Sequence, residues 1–140
     1  MKKLVIFATM AVCFLLVLAS CGGSLPAPAP PPTPETVVFP DKNLEKAIRT
    51  ALDKPAGEAM TPAEMAELTE LITSHQGITD LSGIEYCTNL TLLDFGSNQI
   101  SDLSPLVSLT NLAILQLSQN QISDISPLAS LTNLDYLVLS

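Results

Sequence analysis

Lysine and arginine are absent after Lys54, and the whole chain has 6 of them against 14 acidic residues, a formal net charge of -8. Such a balance repels phosphate backbones and excludes nucleic acid as a ligand. It also disfavours direct docking onto anionic lipid. Histidine is nearly absent. His75 is the single one, in a loop after a strand-like segment, and no serine or cysteine joins it in a nucleophile motif. No glycine-rich loop follows a strand in the manner of a phosphate cradle, and no spacing of His, Cys, Asp and Glu fits a metal site. The chain is therefore expected to have no catalytic residues, no resident metal and no cofactor. Cysteine is scarce as well. With Cys13 and Cys21 near the N-terminus, Cys87 is the one thiol left for the rest of the chain, which leaves no disulfide framework there.

Abundance lies in leucine at a fixed interval. Residues 89–110, NLTLLDFGSNQISDLSPLVSLT, run directly into 111–132, NLAILQLSQNQISDISPLASLT, with 14 of 22 positions identical. A further copy opens at Asn133 and runs to Ser140, and a degraded one, ELTELITSHQGITDLSGIEYCT, fills 67–88 in the same register. This period with an L-x-x-L-x-L-x-x-N-x-L core is the mark of leucine-rich repeats, each copy one coil of a solenoid. The fold class expected is an α/β solenoid with short parallel strands on its concave face and a helical N-terminal cap, since a first coil would otherwise leave its apolar edge in water.

Repeat position assigns each side chain a direction. Leu90, Leu93, Phe95, Ile100, Leu103, Leu106 and Leu109 are expected to point inward in the second coil, with Leu112, Leu115, Leu117, Ile122, Ile125, Leu128 and Leu131 as counterparts in the third. Leu68, Leu71, Ile78, Leu81, Ile84 and Cys87 fill these places in the first, where Thr73 is a weak substitute. Cys87 shares the position of Leu109 and Leu131 and should behave as a small buried hydrophobe. Asn98 and Asn120 stand where the chain leaves each strand, placed for their amides to bond the backbone of neighbouring coils; Gln76 takes that place in the first coil. Pro105 and Pro127 forbid a regular helix on the convex side and predict a tight turn or short 3₁₀ segment.

Ahead of the repeats the composition changes twice. Residues 1–20 carry Lys2 and Lys3, an apolar run from Leu4 to Leu18 and then small residues, the layout of a secretory signal. The run falls short of the roughly 20 apolar residues a membrane span needs. Leu18-Ala19-Ser20-Cys21 resembles the lipobox of bacterial lipoproteins, and the resemblance implies cleavage before Cys21 and membrane attachment through lipid on that cysteine. Residues 21–38 form a tether whose run Pro26-Ala27-Pro28-Ala29-Pro30-Pro31-Pro32-Thr33-Pro34 favours extended polyproline II. Residues 39–66 read as helical. Asp41 is placed to cap a helix over Lys42–Leu52 with Leu44, Ile48 and Leu52 as its apolar stripe. Thr61-Pro62-Ala63-Glu64 carries a capping box and a first-turn proline, opening a short helix through about Glu67 with Met65 and Leu68 turned inward. The Phe-Pro-Asp-x-Asn-Leu-Glu-x-Ala-Ile opening at 39–48 and the 22-residue repeats resemble those of internalins. That resemblance covers Phe39–Ser140 and implies a bacterial surface protein that binds through its repeats.

Strand residues alternate inward and outward. The outward set is expected to line the concave face, with Glu70, Leu92, Ile114 and Tyr136 in one column and Ile72, Asp94, Gln116 and Val138 in the next. Ser74, Gly96, Ser118 and Ser140 form a third, flat column. The apolar row Leu92–Ile114–Tyr136 is either a contact surface for a partner or a place where a parallel sheet tolerates β-formers. Asp80, Asp102 and Asp124 recur every 22 residues. They either share a cation such as calcium or accept local amide bonds at a turn, and the turn is the commoner use. The expected function is a lipid-anchored, non-catalytic binding module of the bacterial cell envelope, facing away from the cytoplasm, that takes a protein or glycan ligand on its concave face. With no segment closing the fourth coil, a fragment of a longer array is expected. The alternative is a structural envelope protein that self-associates through Leu134–Ser140.

Overall fold

The computed structural model describes residues 35–139. The signal segment, Cys21, the proline-rich run through Pro34 and Ser140 lie outside the described residues. Two helices come first, α1 over Lys42–Ala51 and α2 over Pro62–Met65, followed by four three-residue strands: β1 Glu70–Ile72, β2 Leu92–Asp94, β3 Ile114–Gln116 and β4 Tyr136–Val138. The strands form one parallel sheet in the order β1-β2-β3-β4. Register advances by one repeat per strand, pairing Leu71 with Leu93, Leu93 with Leu115 and Leu115 with Leu137. Backbone bonds continue past the strands on both sides, from Thr91 N to Thr69 O at 2.8 Å to His75 N donating to Gly96 O at 3.1 Å.

Between strands the chain returns through 3₁₀ turns at Ile84–Tyr86, Ser104–Ser108 and Ser126–Ser130. Pro105 and Pro127 sit in the first turn of the last two, where a missing amide donor is harmless. Leu93, Phe95, Ile100, Leu106, Leu109, Leu112, Leu115 and Leu117 are fully buried, as are Ile78, Ile84 and Cys87 of the first coil. Each such leucine contributes about 1.5–3 kcal/mol by leaving water. Ile122 and Ile125 depart from the expected inward set. Ile122 is half-buried and Ile125 is 52% exposed, because they lie on the outermost coil edge, where no further coil packs on them among the described residues. Thr73 is buried where Phe95 and Leu117 stand in the other coils, and its hydroxyl has no hydrogen-bond partner.

Helix α1 starts at Asp41, whose Oδ1 accepts from the amides of Asn43 at 2.8 Å and Leu44 at 3.1 Å. The helix closes at Ala51 with Leu52 as its C-cap, so Leu52 is half-buried beyond the helix while Leu44 and Ile48 are fully buried. Thr61 and Glu64 form the capping box of α2, which ends at Met65 rather than Glu67. Packing also reaches into the segment read as tether. Val37 is buried and donates its amide to Met60 O at 2.8 Å, and Met60 joins the core as well.

The second carboxylate oxygen of Asp41 does what no local pattern announces. Oδ2 accepts from Thr79 N at 2.7 Å, Thr79 Oγ1 at 3.0 Å and Asp80 N at 3.2 Å, tying α1 to the first coil. Burial pushes this carboxyl up, but the bonds from the amides of Thr79, Leu44 and Asp80 and from the Thr79 hydroxyl outweigh it and hold it below the usual carboxylate range.

Candidate binding face

Two asparagine ladders bind coil to coil. Asn98 Oδ1 accepts from Gln76 N and Ile78 N, both at 3.1 Å, while Nδ2 donates to Thr73 O at 3.0 Å and Phe95 O at 2.9 Å. Asn120 repeats the motif one coil on, accepting from Ile100 N at 3.0 Å and donating to Phe95 O at 2.9 Å. Gln76 makes no such bridge; its amide donates to Ser74 O at 3.1 Å within its own coil. The second ladder was missed in the sequence. Asn89, Asn111 and Asn133 donate to Ala66 O, Thr88 O and Thr110 O, each 23 residues back along the chain, at 2.8, 3.0 and 2.8 Å. Its signal was present, an asparagine opening the second, third and fourth copies, but an exposed loop asparagine reads as a simple turn residue.

These ladders tie together the coils whose strands form the open face of the sheet. Glu70, Leu92, Ile114 and Tyr136 are paired across the strands as one column, and Ile72, Asp94, Gln116 and Val138 as the next. Leu92, Asp94, Ile114, Gln116 and Val138 are half-buried by their neighbours, whereas Ile72 is 66% and Tyr136 55% exposed. Asp94 is fixed in place, its Oδ1 accepting from Ser74 Oγ at 3.0 Å and Gly96 N at 2.9 Å. Beside it Gly96 keeps the third column low; a Cβ there would lie 3.3 Å from Asp94 Oδ1 and 3.4 Å from Ser118 Oγ.

The carboxylates of the turns face inward onto their own loops. Asp80 Oδ1 accepts from Ser82 N at 2.8 Å and Oγ at 2.6 Å, and Asp102 Oδ1 from Ser104 N at 2.8 Å and Oγ at 2.5 Å. Asp124 accepts from Ser126 N and Oγ at 2.8 and 2.9 Å. These bonds, led by the Ser104 hydroxyl at Asp102 and the Ser126 amide at Asp124, hold both carboxyls below the usual range. The residues serve as turn locks. Among the described residues no group of three or more His, Cys, Asp or Glu side chains is placed to hold a metal ion.

His75 is exposed at φ 59°, the same left-handed turn position held by Ser97 at 55° and Gln119 at 56°. Its place is set by the repeat. Cys87 is buried as a free thiol, and burial pushes it up to about 12, with Glu85 adding to the shift, so it stays protonated and unreactive. Among the described residues no helix is long and apolar enough to cross a membrane.

Parallel one-repeat register, inward leucines, asparagine ladders and 3₁₀ returns together define a leucine-rich-repeat solenoid. Its repeats are similar to those of internalins. The chain is 39% identical to an internalin (inlF) from Listeria monocytogenes, with a TM-score of 0.74 over 77% of this chain and 33% of that one. It is 35% identical to the functional domain of InlJ from the same species, a domain that includes a cysteine ladder, with a TM-score of 0.67 over 71% of this chain and 22% of that one. Internalin H of Listeria monocytogenes is 35% identical over 69 residues, which are 49% of this chain and 13% of Internalin H. The chain thus spans a minor part of each of these relatives. No family model matches it.

Proposed function

We propose that this chain is a lipid-anchored, non-catalytic binding module of the bacterial cell surface. In this reading residues 1–20 are a signal peptide, Cys21 carries lipid, residues 21–38 are a tether, and the helices within 39–66 cap the repeats of 67–140. The module recognises a protein through the concave face lined by Glu70, Ile72, Leu92, Asp94, Ile114, Gln116, Tyr136 and Val138. The observation that carries this is the aligned apolar row Leu92–Ile114–Tyr136, paired directly across three strands and left partly open to solvent. Solenoids present extended surfaces of this kind to partners, and the internalin-type relatives support a surface role.

Leu92→Asp combined with Ile114→Asp should preserve the circular dichroism and melting of the full chain while removing capture of surface proteins by the immobilised module. Capture unchanged by the double substitution would dispose of the face. The anchor is tested separately. Labelled fatty acid should enter the wild-type chain in its own cells and not the Cys21→Ser variant, whereas equal labelling of the two would remove lipid from Cys21.

A further inference from the structure

We propose that the groove between the second half of α1 and the end of β1 is where the protein partner seats an acidic, apolar segment, with its carboxylate on Lys46 and its apolar side chain on Ile72. This inference rests on the proposed concave-face function and names the chemistry at one end of that face. The groove has a volume of about 420 Å³ and is lined by Lys46, Ala47 and Thr50 from α1 and by Ile72, Thr73, Ser74 and Gln76 from the first coil. That is the size of a small recognition pocket.

Charge selects the occupant. Four cationic side chains stand among the described residues, and three are already paired. Lys42 bonds Glu45 at 2.8 Å, Arg49 bonds the same carboxylate at 2.9 Å, and Lys54 bonds Glu64 at 2.7 Å. Lys46 is exposed and has no such partner, and it lines the groove. Among the described residues Lys46 is thus the one lysine or arginine outside an ion pair, and it lines the groove together with Ile72.

Ile72 supplies the second half of the site. It is 66% exposed, the most open apolar side chain of the sheet, and it stands in a column whose other members are Asp94, Gln116 and Val138. Asp94 is its direct neighbour in register, so a bound carboxylate is repelled from the sheet side and accepted only on the α1 side. The partner segment is therefore oriented as well as held. With a net charge of -8 the chain gives no long-range attraction to an acidic ligand. Affinity must come from the apolar contact, and Lys46 sets direction and selectivity.

The probe is a terminally blocked pentapeptide alternating leucine and glutamate, with a leucine–lysine peptide as its counterpart. Each is titrated into the full chain in detergent, observed through the methyl signals of its isoleucines. The glutamate peptide should shift the Ile72 methyl saturably, and Lys46→Glu should weaken it roughly fivefold while strengthening the lysine peptide. Ile72→Ser should weaken both. Lys46 bonds no other side chain, so its variants keep the fold. The proposal is overturned if the glutamate peptide does not saturate, if its affinity ignores Lys46→Glu, or if shifts centre on Ile114 instead. Loss of protein capture in the Leu92→Asp, Ile114→Asp variant alongside any of these results would leave the binding face standing and remove only the groove.

Discussion

Asn98→Ala is expected to destabilise the solenoid by about 2–5 kcal/mol, far more than a surface asparagine should. The side chain is buried and links two coils at once, accepting from Ile78 N and Gln76 N and donating to Thr73 O. Alanine leaves Ile78 N and Thr73 O without these bonds inside the packed column, and each buried orphan costs about 1–3 kcal/mol. Phe95 O, by contrast, keeps the amide of Asn120. The matching change one coil on provides the internal control. Asn120 is only half-buried, and the one amide it accepts from is that of Ile100. Asn120→Ala should cost about 1–2 kcal/mol, water replacing part of what is lost. Urea unfolding of the two variants settles the matter. If Asn98→Ala costs no more than Asn120→Ala, the coil-to-coil bridge is not what stabilises the first coil.

The contrast between these asparagines marks where the sequence is informative. A 22-residue period fixes register by itself, because equivalent residues of successive coils must stack. The columns of the open face, the leucine interior and the position of Asn98 were therefore legible before any coordinates. So were the N-caps at Asp41 and Thr61, whose signals are local. Periodicity reports only what recurs, however, and the junction between α1, α2 and the first coil occurs once. The Asp41 Oδ2 bonds to Thr79 and Asp80 span 38 and 39 residues, with no pattern to announce them. The Lys46–Ile72 groove is invisible for the same reason, since it joins a helix outside the repeat to a strand within it. Ile125 shows the converse limit: the repeat predicts its direction, but burial needs a neighbouring coil on that side.

Gly83 is the sharpest case of a unique residue inside a repeating frame. It stands where Pro105 and Pro127 stand in the next two coils, so a repeat consensus would replace it by proline to stabilise the turn. The opposite result is expected. Gly83 has φ 103°, a conformation closed to proline, whose ring holds φ near −65°. Its amide also donates to Glu85 Oε2 at 2.7 Å, a bond proline cannot make. A Cβ at this position would lie 2.5 Å from Phe39 Cε1, and Phe39 is itself buried. In the first coil the ring of Phe39, from the segment ahead of α1, lies against the turn at the position where the later coils carry proline. Gly83→Pro should therefore cost about 3 kcal/mol or more. Pro105→Gly, the reverse change in the second coil, should cost about 1 kcal/mol, since it only loosens the unfolded chain. Gly83→Ala separates backbone from contact. Beside a Phe39→Leu change its penalty should shrink toward the about 1–2 kcal/mol set by positive φ alone, whereas Gly83→Pro should remain severe in either background. Thermal melts of the full chain measure all of these. A proline at 83 that leaves stability unchanged or raises it would mean that the turn can adopt the conformation of the later coils, and that the Phe39 contact does not shape the start of the solenoid.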